Sequence, residues 1–164
     1  MRGQTQLMSS ARTGAKAQDE WRTPRWLFDR CVERFGTFNL DAAASDENHL
    51  CDAWFTEKDN ALEKDWFGNV WCNPPYSMLR PFANKAVTEI RLGHCESVTF
   101  LIPARTDTRA FQWLARFAGE IVFLAGRVKF EPGTHSAPFP SVIVVIAARD
   151  GRPCITFEDW RVKP

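Results

Sequence analysis

The sequence has a single tyrosine, Tyr76, against seven tryptophans and thirteen phenylalanines. It has no excess of charge: the formal net charge is only +1. That excludes a uniformly basic coat but leaves room for a local basic groove. None of the five cysteines (Cys31, Cys51, Cys72, Cys95, Cys154) forms a C-x-x-C pair, and the three histidines are scattered. The spacing suits neither a zinc site nor a disulfide framework, so reduced thiols and no metal are expected. There is no paired acid cluster of the kind a metal-dependent nuclease needs. No apolar stretch approaches a membrane span, and no signal peptide is visible.

What is present suits one compact domain. The chain has 164 residues, 45% of them hydrophobic, which is enough for a sizeable core. Residues 1–18 are small, polar and basic and read as a flexible tail, which leaves 19–164 as a single domain. "TPRWLFDRCVERFG" predicts a helix with Thr23 as its cap, Pro24 in the first helical position and Gly36 as its stop. "TFNLD" reads as a short strand ending at Asp41, "AAASDENHL" as a loop opening into a helix, and "AWFT" as a second strand. "GNVWCN", "SVTFLIP", "IVFLAGRVKF", "SVIVVIAA" and "CITFED" supply further strands, the last at an edge. Helices are expected at "MLRPFANKAVTEIRLG", regular from Pro81, and at "TRAFQWLARFAG", closed by Gly119. Helices alternate with strands, and the strands lack polar alternation. This predicts an α/β sandwich over a largely parallel sheet.

The stretch "VWCNPPYS" then stands out. In such sheets ligands sit at the carboxyl ends of strands, where Asn73-Pro74-Pro75-Tyr76 would lie. The prolines stiffen the loop and contribute no N–H, so nearby carbonyls meet no competing local donor. Asn73 adds a side-chain acceptor. Two fixed acceptors can bind both N–H groups of an exocyclic amine and draw its nitrogen toward a tetrahedral, nucleophilic shape. Tyr76 is placed to stack on the ring. The chemistry is positioning rather than proton abstraction.

Asn-Pro-Pro-Tyr is the catalytic motif of amino-group methyltransferases that use S-adenosylmethionine. From about residue 19 to 148 the chain resembles the small phage-type DNA N6-adenine methyltransferases. The matching stretches are "EWRTPRWLFD", "FNLDAAASDEN", "WFTEKDNALEKDW", "VWCNPPYS", "LIPARTDT", "GRVKF" and "APFPS", in that order. The resemblance implies a compact Rossmann-like methyltransferase fold with an antiparallel C-terminal strand. It also implies S-adenosylmethionine as cofactor, DNA as partner, and a phage or prophage setting in bacterial cytoplasm. By the same resemblance, Asn73, Pro74, Pro75 and Tyr76 are catalytic, and Thr23, Pro24, Asp41, Ala42, Ala43, Asp59 and Asn60 bind the cofactor. Leu62 and Trp66 would flank its adenine. Ser77, Arg105, Thr106, Arg127 and Phe139 would face DNA; Phe139, were it exposed on its proline-framed loop, would be a wedge or stacking residue, the alternative being that "APFPS" simply fixes a crossover.

The chain departs from the family pattern in its first cofactor loop, which carries alanines where glycines are usual. Asp41 and Asp59 also stand too close for a full helix and second strand between them, so Glu47 and Glu57 are the alternatives for the ribose acid. Plain structural uses stay open too: Asp41 as a strand-end cap, Asp59 as a turn acid, Arg105 and Arg127 as solvated loop residues. Cytosine N4 or a protein glutamine amide offers similar N–H groups, and a non-catalytic nucleic-acid-binding module is a further alternative.

Overall fold

A computed structural model describes residues 21–131, 136–148 and 151–161. The expected tail, 1–18, lies outside the described residues. Seven strands form one sheet: β1 (Leu40–Asp41), β2 (Ala53–Trp54), β3 (Gly68–Cys72), β4 (Cys95–Pro103), β5 (Ala118–Leu124), β6 (Ser141–Ala147) and β7 (Cys154–Glu158). Their spatial order is β2-β1-β3-β4-β6-β5-β7. Every neighbouring pair is parallel except the two that involve β6, which runs antiparallel to both β4 and β5. The mostly parallel α/β sheet is therefore as expected, and its antiparallel member is the C-terminal-half strand β6.

The unbroken apolar runs follow from burial on both faces. Val70, Cys72, Phe100, Ile102, Val142 and Val144 pack into one core with helices α2 (Leu79–Leu92) and α3 (Arg109–Ala115). The residues between them, Trp71, Leu101 and Ile143, pack into a second core with α1 (Arg25–Phe35). Alternate residues of each strand thus reach opposite apolar layers, and neither face selects polar residues. Burying a large side chain such as Trp71 or Phe100, both essentially inaccessible, contributes about 2–3 kcal/mol.

Several local expectations change. α1 begins one residue later than the sequence suggests: Pro24 is its capping position, and the N–H groups of Leu27 and Phe28 point to the Pro24 carbonyl. The Thr23 hydroxyl makes no helix cap, because it is engaged elsewhere. α2 starts at Leu79, two residues before Pro81; a proline is tolerated there because first-turn N–H groups have no helical acceptor. α3 ends at Ala115, and Gly119 lies inside β5, at the register shift between Ala118 and Glu120. A glycine suits that bulge. The stretch from 42 to 52 contains turns and no helix, so β1 and β2 are joined by a loop alone.

Gly68 opens β3 at φ +61, and a Cβ there would stand 2.4 Å from Asn39 Oδ1. That oxygen accepts the Asn69 N–H at 2.9 Å, and Asn39 N–H returns a bond to the Asn69 carbonyl at 2.7 Å. The glycine lets this clip close. Under the sheet, Glu89 of α2 is 2% exposed. Its carboxylate accepts from Lys85 Nζ (2.6 Å), the Trp66 N–H (3.2 Å) and His94 Nδ1 (2.9 Å). Burial pushes its pKa up, but these three donors outweigh burial and leave it below the ordinary value. Glu89→Ala would strand a buried N–H and an ammonium and is expected to cost about 3 kcal/mol in urea unfolding. A loss under about 1 kcal/mol would show that the network does not hold α2 to the 61–66 turn.

Candidate active site

The parallel strands deliver their carboxyl ends to one edge of the sheet, and the sequence motifs gather there. Asp41 ends β1, Asn73 follows β3, Arg105 and Thr106 follow β4, and Arg127 follows β5. Because β6 is antiparallel, its amino end reaches the same edge and brings Phe139 with it. The Pro140 carbonyl accepts the Ala104 N–H at 2.8 Å, which ties the "APFPS" loop to the end of β4.

Asn73 is tied to the segment before α1. Its Nδ2 donates to the Trp21 carbonyl and, at 3.1 Å, to Thr23 Oγ1. A main-chain carbonyl can only accept, so the NH2 end of the carboxamide must face it and the amide orientation is fixed. Both amide N–H groups are used on the segment that leads into α1, and Oδ1 is the acceptor that remains. The Pro75 carbonyl accepts the Met78 N–H at 2.7 Å and closes a 3₁₀ turn over Tyr76–Met78. The Pro74 carbonyl precedes a nitrogen that carries no hydrogen.

Tyr76, half-buried, meets Phe139 edge-to-face, with centroids 5.5 Å apart and planes at 84°. Phe139 in turn meets Trp21 at 5.4 Å and 83°, and Trp21 meets Phe130 at 5.4 Å and 64°. Each such contact adds about 0.5–1.5 kcal/mol beyond burial. The four rings fix the plane of Tyr76. The expectation of an exposed Phe139 wedge is corrected here. Phe139 is only 8% exposed, because the proline-framed loop folds it inward as the wall behind Tyr76.

Asp41 is 3% exposed and organises the loop that follows it. Its Oδ2 accepts the Leu50 N–H at 3.2 Å and its Oδ1 the Ala43 N–H at 3.4 Å. The Ala42 N–H extends the sheet ladder to the Trp71 carbonyl, and Ala44 N–H reaches Phe55 O, both at 2.9 Å. Of the three alanines only Ala43 and Ala44 are half-buried at the edge, whereas Ala42, expected at the cofactor, packs its side chain wholly into the core. Asp59 is exposed, and its Oδ2 accepts both the N–H and the hydroxyl of Thr56, at 2.8 and 2.7 Å. These bonds hold its pKa below the ordinary value. They engage one of its two oxygens, Oδ2. Asn60 follows at φ 53, a left-handed conformation that asparagine tolerates better than most residues.

Trp66 does not flank a ligand: it is 1% exposed, and its indole N–H binds the Ala61 carbonyl at 2.8 Å inside the core. Leu62 is half-buried against the same core. Glu47 is exposed and accepts from Ser45 Oγ. Ser77, Arg105, Thr106 and Arg127 are exposed. Arg105, Thr106 and Arg127 are placed at this edge by the strands they follow, and Ser77 by the 3₁₀ turn Tyr76–Met78 that continues the motif.

The donor set suits a zwitterionic nucleoside cofactor. It offers a helix start for a carboxylate, short side chains for close approach, and an acid oxygen for an amino group. Sequence reasoning missed Trp21, Phe130 and the pairing of Arg22 with Glu131, whose N–H and C=O groups bond both ways at 3.2 and 3.1 Å. The "EWRTPRWLFD" stretch pointed to the region, but nothing in it points to a partner some fifty residues away.

Among the described residues no helix is long and apolar enough to cross a membrane. The family model described as "DNA N-6-adenine-methyltransferase (Dam)" matches residues 10–150. A DNA N-6-adenine-methyltransferase of Escherichia phage T1 is 36% identical over 109 residues, covering 65% of this chain and 45% of that protein. A protein of the same name from Haemophilus phage HP1 is 33% identical over 127 residues, 76% of this chain and 73% of its own length. The chain thus spans under half of the first relative's length and about three quarters of the second's. Among solved structures, a candidate RNA methyltransferase, PH1948, from Pyrococcus horikoshii superposes with a TM-score of 0.51. It shares 14% sequence identity, over 79% of this chain and 87% of that one, and so speaks to the fold alone.

Asp41 yields a pH prediction. Burial raises its pKa to about 6, against the opposing pull of the Leu50 and Ala43 N–H groups and of His49. Its contribution to stability is therefore fully present below its ordinary value of 3.8 and is lost as pH rises through about 6. Carbon-13 NMR of the Asp41 carboxyl should show a midpoint near 6. A midpoint at its ordinary value would show that the loop does not shield it.

Proposed function

The chain belongs to the DNA N-6-adenine-methyltransferase (Dam) family, and on that premise we propose that it transfers a methyl group from S-adenosylmethionine to the N6 amino group of adenine in DNA. The observation that carries this reading is the fixed carboxamide of Asn73. Its NH2 is held by Trp21 and Thr23, so its oxygen is preset as an acceptor before substrate arrives.

An adenine inside a duplex hides its amino group, so the base must leave the stack or be presented on a single strand. Tyr76 then stacks on it, with its plane held by Phe139. Asn73 Oδ1 and the Pro74 carbonyl accept the two N6–H bonds. This weakens delocalisation of the nitrogen lone pair into the ring and aims it at the methyl donor. No side chain has to remove a proton before attack, and Cys72 is no nucleophile: burial raises its thiol pKa well above the ordinary value.

S-adenosylmethionine, when bound, supplies the sulfonium methyl. On the protein side, Thr23 and Pro24 bring the start of α1 to its carboxylate, and Asp41 shapes the loop in which Ala43 allows close approach over the buried Ala42. Asp59 Oδ1, oriented by the Thr56 turn and by Asn60, accepts from its adenine amino group. Ser77, Arg105, Thr106 and Arg127 contact the DNA backbone near the flipped base, with Phe139 acting through Tyr76. The phage relatives support a setting in an infected or lysogenic bacterial cytoplasm.

A labelled-cofactor assay tests this. Tritium should pass from S-adenosylmethionine to adenine-containing DNA. Asn73→Ala and Tyr76→Ala should each lower kcat by roughly a hundredfold, the scale for losing one positioned electrostatic group. Cofactor affinity should change little. A folded, cofactor-binding protein that leaves DNA unlabelled would refute the reading.

A further inference from the structure

Asn73 has a dependence that its own motif does not contain. The two N–H groups that fix its carboxamide are accepted by residues of the segment before α1, the Trp21 carbonyl and the Thr23 hydroxyl. Thr23 is 8% exposed, and its side chain plays no part in capping α1. The segment is itself anchored on its other side: Arg22 and Glu131 exchange two main-chain hydrogen bonds. The Trp21 ring packs edge-on against Phe130 and Phe139. Residues 21–23 thus form a short strap, stitched to the 126–131 segment on one side and to Asn73 on the other.

We propose that Thr23 is a positioning residue for methyl transfer: its hydroxyl accepts one Asn73 amide hydrogen and so keeps Asn73 Oδ1 turned toward the target amine. This rests on the proposed methyltransferase reading and adds to it. It moves the principal work of the Thr23 side chain from the cofactor to the catalytic amide. The physical reason is the two-fold ambiguity of a carboxamide. Oxygen and NH2 are nearly equal in size, so an unrestrained Asn73 can rotate its terminal group and present donors to an amine that needs acceptors. The Trp21 carbonyl alone permits one anchored hydrogen and a rocking plane. A second acceptor, Thr23 Oγ1, fixes the plane as well as the end.

Two measurements decide it. In steady-state assays Thr23→Val, which keeps the shape and removes the hydroxyl, should lower kcat about tenfold, the scale of one lost hydrogen bond to a transition-state group. KM and calorimetric affinity for S-adenosylmethionine should stay within about twofold. Thr23→Ser should restore most of kcat. In proton–nitrogen NMR, one of the two Asn73 Nδ2 protons should move toward the position of a free amide in Thr23→Val and stay put in Thr23→Ser. The positioning role is overturned if Thr23→Val keeps full kcat, if its defect lies in cofactor KM, if Thr23→Ser is as impaired as Thr23→Val, or if the amide signals do not move. A wild-type protein that methylates no DNA would overturn the reading of function instead, and the amide signals would still report whether Thr23 orients Asn73.

Discussion

The amide of Asn73, held by a carbonyl and a hydroxyl some fifty residues earlier in the chain, is the constraint on which the site depends. A loop of two prolines is stiff, but stiffness alone does not choose which end of a carboxamide faces the substrate. The choice comes from outside the loop, from residues 21–23. Those residues are held in turn by the Arg22–Glu131 exchange and by the rings of Phe130 and Phe139. One hydrogen-bonded amide therefore couples the segment before α1, the end of β3 and the chain that follows β5.

The sheet makes that coupling geometrically available. Parallel strands bring the ends of β1, β3, β4 and β5 to one edge, and the reversed strand β6 adds its beginning to the same edge. Without that reversal Phe139 would enter the opposite edge, and Tyr76 would lose its wall. The short connection between β1 and β2 is a second economy. Asp41 folds the 42–50 loop around its own carboxylate, so the edge keeps its shape without a helix. An acid that accepts main-chain N–H groups in this way serves the loop first, which is why alanines suffice at positions where flexible glycines are usual.

Much of this was legible in the residues. Uninterrupted apolar runs alternating with helical periods gave the doubly covered, mostly parallel sheet. Asn73-Pro74-Pro75-Tyr76 announced acceptors at a strand end. What escaped was long-range or depended on context. Thr23 reads as a helix cap because a threonine before a proline usually is one, and no local pattern reveals a competing bond to Asn73. Phe139 between prolines reads as exposed, and only the reversal of β6 shows that it turns inward. Trp66 looked like a flank for a ligand ring, yet its indole N–H already has a main-chain acceptor in the core. Gly119 looked like a helix stop because glycine serves helix ends and strand bulges alike, and β-pairing with β6 decided between them.

A crystal structure of the protein with a non-reactive cofactor analogue and an adenine-containing oligonucleotide examines the acceptor pair directly. The target N6 should lie about 3 Å from both Asn73 Oδ1 and the Pro74 carbonyl, with the base stacked on Tyr76 and the Asn73 NH2 still facing Trp21 and Thr23. A target amine bound by other groups, or an Asn73 whose NH2 end faces the base, would contradict the mechanism.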